Sequence, residues 1–76
     1  MFALTFLEAM EAVLYCGWLA VGEDFAPMTY LRCSDGLVEV VSGKDGENKY
    51  PFMVTTGTLN QKYAIVTNAL YVKNLK

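Results

Sequence analysis

Apolar residues recur at helical spacing between Leu4 and Gly17, at Phe6, Ala9, Met10, Val13 and Gly17, with no proline among them. A period of 3.6 sustained over that length predicts an amphipathic helix. Thr5 and Glu8 mark its start as a capping box, each side chain satisfying one orphan N–H of the first turn, and Gly17 is placed to end it in the left-handed region. Glu8 and Glu11 are the only charges on the outer face, where Leu7, Leu14 and Tyr15 leave little for water to solvate. A surface helix ordinarily has a broader polar face, so Leu7, Leu14 and Tyr15 are expected at a subunit contact.

Beyond Gly17 the helical period gives way to short apolar runs. Trp18 to Val21 predicts a first strand, broken by Glu23-Asp24-Phe25-Ala26-Pro27. Met28 to Ser34 and Leu37 to Val41 alternate on either side of Asp35-Gly36, which favours a two-residue type I′ turn. That turn pairs Ser34 with Leu37, Cys33 with Val38, Arg32 with Glu39 and Leu31 with Val40, so one face of the hairpin is apolar and the other sets opposite charges side by side.

Ser42 to Lys49, with two glycines and four charges, predicts an exposed loop. Tyr50 to Thr55 returns to strand, with Pro51 near its start and therefore at a sheet edge. Thr56 to Gln61 predicts a turn and Lys62 to Val66 a further strand. Thr67 or Asn68 can cap a short final helix, although the β-branched and aromatic residues of 67–75 also allow a strand. The sum is an α+β fold, with an N-terminal amphipathic helix packed on a small antiparallel sheet and residues 1–76 forming one domain.

Composition adds a constraint. A chain of 76 residues buries a modest core, and conformational entropy of roughly 1.5 kcal/mol per residue nearly cancels its hydrophobic gain. Two cysteines make at most one disulfide, and without histidine no four-ligand zinc site is supplied. An oligomer interface is the remaining source of stability, and a hydrophobic content of 54% agrees with it. The apolar stretch from Met1 to Gly22 carries Glu8 and Glu11 in its middle and no basic residue, which argues against a signal peptide or a membrane span. A cytoplasmic location follows as an expectation, with Cys16 and Cys33 as small buried hydrophobes. The net charge is −2, and Arg32, Lys44, Lys49, Lys62, Lys73 and Lys76 are scattered, which is not the basic patch of a nucleic-acid binder.

Catalytic chemistry is poorly supplied. Without histidine, a base near neutral pH requires a strongly shifted carboxylate or lysine, and a nucleophilic cysteine lacks its usual partner. Glu8 and Glu11 form an ordinary solvated stripe, Glu23-Asp24 alone binds metal weakly, and no glycine-rich run leads from a strand into a helix. A non-catalytic protein without metal or cofactor is expected. Its aromatic residues include Tyr15, Trp18, Phe25, Tyr30, Tyr50, Phe52, Tyr63 and Tyr71. Such rings serve core and interface, and those with polar tips also suit a pocket that stacks a base and holds a ribose. Arg32 can hold a phosphate or pair across the hairpin with Glu39.

The order of Phe6-Leu7-Glu8-Ala9-Met10, Tyr30-Leu31, Pro51-Phe52-Met53-Val54, and the run from Tyr63 through Thr67 to Leu70-Tyr71-Val72-Lys73-Asn74-Leu75 resembles a family of small phage proteins. These are the anti-Thoeris sponges, which sequester cyclic ADP-ribose-type signals. Phe25 stands where that family has a loop tryptophan, Val21 at its strand arginine, Tyr63 at its second tryptophan, and Asn74-Leu75 at its closing Asp-Trp. The resemblance implies a homo-oligomer, dimer or tetramer, with ligand pockets at subunit contacts and no chemistry on the ligand. Carried over by position, the pocket residues are Phe25, Tyr30, Tyr63, Thr67 and Asn74, to which Arg32 is added from the charge argument.

Two functions are therefore expected as alternatives. One is a phage anti-defence protein in the host cytoplasm that sequesters a nucleotide-derived immune signal, a cyclic ADP-ribose-like molecule or a cyclic oligonucleotide. The other is an inhibitor that binds a host or defence enzyme directly, suggested by the acidic balance, Pro51 at a sheet edge and the apolar helix surface.

Overall fold

A computed structural model describes the backbone of residues 2–74 and the side chains of residues 2–72. The fold is α+β: helix α1 (Phe6–Cys16) packs on one face of a five-stranded antiparallel sheet of β1 (Leu19–Gly22), β2 (Tyr30–Ser34), β3 (Leu37–Ser42), β4 (Asn48–Pro51) and β5 (Tyr63–Val66). A short helix α2 (Thr56–Asn60) connects β4 to β5, and a 3-10 helix spans Ala69–Asn74. Spatial order across the sheet is β4-β3-β2-β1-β5, a meander of four strands with β5 added beside β1.

α1 forms as its pattern dictates. The Thr5 side chain accepts from the Glu8 N–H at 3.2 Å and Glu8 Oε1 accepts from the Thr5 N–H at 2.9 Å. Gly17, at φ 71°, ends the helix in the left-handed region. Ala9 and Val13 are fully buried against Ala20, Leu31, Val40 and Tyr63, with Phe6 and Met10 packed at the margin. The β2–β3 hairpin has the expected register at every pair, and Asp35 (φ 53°) and Gly36 (φ 80°) both take the positive φ that a type I′ turn requires.

Alternation then sorts the sheet residues. Ala20, Leu31, Val40 and Tyr50 lie in register across four strands on the face toward α1. Tyr30, Arg32, Glu39 and Val41 fall on the other face. There a second cluster of Val21, Val66 and Val72 gathers Phe2, Leu19 and Tyr30, so the 3-10 helix covers part of that side. Cap and helix agree at this end, since Asn68 Oδ1 accepts from the Leu70 N–H at 2.9 Å.

Several boundaries differ from expectation. Trp18 precedes the first strand and is 44% exposed, because the chain is still reversing after Gly17. The fourth strand runs over Asn48–Pro51 rather than from Tyr50 to Thr55, so the loop after β3 is shorter than the polar composition of 42–49 suggested and Pro51 lies at the end of its strand. Phe52 still donates to Val38 O at 3.2 Å. By the alternation of an antiparallel ladder, Pro51 therefore turns its nitrogen away from β3, where it forfeits no bond. The sheet edge expected at Pro51 is present.

The turn expected at 56–61 is instead α2, nucleated by a second capping box in which Thr58 Oγ1 accepts from the Thr55 N–H at 2.7 Å and Thr55 Oγ1 from the Thr58 N–H at 3.2 Å. Cys16 is exposed and Cys33 half-buried, not the buried pair expected. Cys16 is the last helical residue, where the chain leaves the helix at Gly17 instead of continuing over the sheet. The C-terminal segment resolves to a 3-10 helix rather than a strand, while Leu75 lies outside the described residues.

At the β5 edge of the sheet the start of the chain adds one bridge, at Tyr63. Tyr63 N donates to Leu4 O at 2.8 Å, and Leu4 N donates back to Tyr63 O at 3.0 Å.

Candidate functional site

One helix cannot cover five strands. An α-helix is about 10 Å across with its side chains, about two strand spacings. α1 sits mainly over β1, β2 and β5, which leaves the β3–β4 end of that face without a helix above it. The uncovered end is a groove of about 590 Å³. Val40, Tyr50 and Phe52 line it together with Phe25, Pro27 and Thr29 from the loop between β1 and β2 and Thr58 from α2.

Each wall is held by a local device. Phe25 packs edge-on to Tyr63, with ring centroids 6.1 Å apart, and its N–H bonds Gly22 O at 3.0 Å. The loop carrying it is stitched to the segment before β5: Glu23 N donates to Lys62 O at 2.9 Å and Asp24 N to Gln61 Oε1 at 2.8 Å. Phe52 stacks on Phe6 of α1 at 6.2 Å. Between Pro27 and Thr29 the backbone passes through the left-handed region at Met28 (φ 65°), a conformation that disfavours a side chain by about 1–2 kcal/mol. Pro27 and Thr29 thereby line the groove while Met28 lines a separate cavity.

Hydroxyls from Thr29, Ser42, Tyr50 and Thr58 are the side-chain polar groups of the lining. Thr58 Oγ1 is occupied by the α2 cap, donating to Thr55 O at 2.9 Å, and Thr29 Oγ1 donates to Pro27 O at 3.4 Å. Among the described lining residues none is Asp, Glu, Lys, Arg or Cys. The groove can therefore stack a flat ring and hydrogen-bond to it, and it offers no charged acid, base or thiol. Among the described residues no group of three His, Cys, Asp or Glu converges to hold a metal ion.

The residues proposed from sequence are distributed rather than gathered. Phe25 is in the groove. Tyr63 touches Phe25 but is fully buried; its ring packs on Phe6 as well, its hydroxyl donates to Thr58 O at 2.6 Å, and burial pushes its phenol above the ordinary 10.0. Tyr63 thus forms the floor beneath Phe25 and reaches no ligand within this chain.

Tyr30 lies on the opposite face, in a smaller cavity of about 220 Å³ with Met28, Lys44 and Leu70. Arg32 shares that face and is hydrogen-bonded and ion-paired through Nε to Glu39. Thr67 is exposed between β5 and the 3-10 helix, and the side chain of Asn74 lies outside the described residues. Leu7, Leu14 and Tyr15 are 70%, 41% and 85% exposed on the outer face of α1.

Sequence reasoning counted Tyr50 and Phe52 among the rings available to a pocket without placing them in the site, and it passed over Thr58. Tyr50 and Phe52 are two apart on one strand face, and that spacing was the available signal. Thr58 had only its capping pattern with Thr55. Scans against protein-family models and searches of curated proteins and of solved structures found no match to this chain.

Among the described residues no helix is long and apolar enough to cross a membrane.

Proposed function

We propose that this protein is a non-catalytic binding module that sequesters a nucleotide-derived signalling molecule, and that it acts in a host cytoplasm as a phage anti-defence protein. The observation that carries the reading is the groove: aromatic walls from Phe25, Tyr50 and Phe52 with neutral hydroxyls between them, in a volume suited to a small ligand. Tyr50 is the one titratable side chain among the described lining residues, which favours holding a ligand over transforming it. The family resemblance in the sequence supplies the signal class, cyclic ADP-ribose-like molecules or cyclic oligonucleotides. The exposed Leu7, Leu14 and Tyr15 support self-association through α1, with a dimer or tetramer as the sequestering species.

Thermal denaturation with cyclic ADP-ribose isomers and cyclic dinucleotides tests the reading. A ligand at about a hundred times its Kd adds about 2.7 kcal/mol to stability, a clear rise in Tm. If no member of the panel raises Tm, the protein does not sequester this class.

A second reading, direct binding to a host or defence enzyme, is favoured by the β4 edge. Lys49 keeps outward-facing N–H and C=O groups there, and Met53 and Val54 just beyond are 76% and 58% exposed. Capture of one partner by the purified protein, abolished by Lys49→Pro and indifferent to small molecules, would select this reading over the first.

A further inference from the structure

The lining of the groove decides which part of a nucleotide can enter it. Its walls are rings and its polar groups are hydroxyls, and no Lys or Arg is among the described lining residues. The single guanidinium of the chain, Arg32, is on the other face of the sheet and committed to Glu39. Lys44 lines the smaller cavity beside Tyr30, which meets the groove at Gly43, and is not itself among the groove's lining residues. A phosphate seated between Phe25, Tyr50 and Phe52 would shed its hydration with no positive charge to replace it, inside a chain of net charge −2. A base loses little hydration from its faces and gains a ring to stack on. Ribose hydroxyls and base edges match the Ser42 and Tyr50 hydroxyls, which both donate and accept.

We propose that the groove takes the uncharged base and sugar of a nucleoside and leaves any phosphate outside, in solvent. The proposal rests on the nucleotide reading above and narrows it. Recognition of this kind is insensitive to phosphate number and to salt, because no counterions are released from a phosphate on binding.

The test is calorimetric titration of the purified chain with adenosine, AMP and ADP, with adenosine chosen because a purine has the larger stacking face. All three should bind with Kd values within about threefold of one another, unchanged between about 50 and 200 mM salt. Tyr50→Ala, at a half-exposed ring whose loss leaves the core intact, should weaken all three by about tenfold. Leu37→Ala, at an exposed position near the hairpin tip, should leave them unchanged.

AMP and ADP binding more than about tenfold tighter than adenosine, with a Kd that rises with salt, would overturn the proposal while the nucleotide reading stands. Binding that ignores Tyr50→Ala would place the ligand elsewhere and overturn it too. If none of the three binds, the proposal fails. A rise in Tm with a cyclic signal would then preserve the broader reading, and its absence would end both.

Discussion

Phe25 meets Tyr63 nearly at right angles, with ring planes 89° apart and centroids 6.1 Å apart, so one ring of the groove wall rests on one ring of the core. Gly22 makes this contact possible. A Cβ at Gly22 would lie 2.6 Å from the Phe25 ring and 2.5 Å from Gln61 Oε1, the atom that receives the Asp24 N–H. Gly22→Ala must therefore displace Phe25, and an overpacked site of this kind costs about 1–3 kcal/mol. The expected outcome is a lower urea midpoint together with weaker ligand binding, from one substitution that touches no ligand.

The Arg32–Glu39 pair gives the opposite expectation. Its side chains are 38% and 21% exposed, so solvent screens the attraction. A double-mutant cycle with Arg32→Ala and Glu39→Ala should return a coupling of about 0.2–1 kcal/mol, diminished by added salt. Arg32→Ala should leave ligand affinity in the groove unaltered, since the guanidinium projects from the other face. A large loss of affinity would mean that the ligand is held on the 3-10 side of the sheet.

At the hairpin tip the geometry isolates a single energy term. No atom lies within 4 Å of a Cβ placed on Gly36, yet its φ is 80°. Gly36→Ala should destabilise by about 1–2 kcal/mol through backbone conformation alone. Urea denaturation measures it, and no change would show that the turn relaxes to another type.

Acid should loosen the start of α1. Hydrogen bonds from the Thr5 backbone, then from its side chain, hold the Glu8 carboxyl below its ordinary 4.5, against a smaller opposition from burial and with the smallest pull from Lys62. A depressed folded pKa contributes stability above the unfolded value, and that contribution disappears as pH falls through the folded value. Glu47 behaves likewise, lowered by N–H groups of its own residue and of Asp45. Wild type should therefore lose stability on acidification below 4.5 faster than Glu8→Gln, which keeps a neutral capping box. Urea midpoints of the two proteins at neutral and acid pH measure this, and parallel acid limbs would contradict it.

Self-association is tested on the helix surface. Leu7 and Leu14 are two turns apart and exposed, so a glutamate at either position adds little strain to the fold itself. Leu7→Glu or Leu14→Glu should reduce the assembled mass measured by light scattering while leaving the circular dichroism unchanged. A mass unaffected by both would mean that α1 makes no subunit contact.

What the sequence disclosed was what short range decides. α1 carries its caps and its period within one stretch, and the β2–β3 hairpin carries its turn and register within another, so both could be read residue by residue. The β1–β5 pairing, Leu19 with Val66 through Gly22 with Tyr63, joins segments that share no local signal. The site was less legible for the same reason. Tyr63 and Phe25 were singled out together and do touch, but which ring faces solvent depends on where α1 stops covering the sheet. Tyr50 and Phe52 belong to the groove only because β4 lies beyond that limit. α2 was readable in principle, since Thr55 and Thr58 have capping-box spacing, but Gly57 between them signals a turn equally well.

The bridge from Leu4 to Tyr63 and the β1–β5 pairing tie the start of the chain to its end. β1 to β4 can zip by successive neighbours, whereas β1 gains its second partner only when a strand from the far end of the sequence arrives. Contacts that distant are slow to form because the loop entropy must be spent before they are rewarded. Tyr63, the largest fully buried side chain among the described residues, belongs to that strand. Without it Ala9 and Val13 have no complete bed and Phe25 has no floor, so the shape of the groove depends on a pairing between distant parts of the sequence.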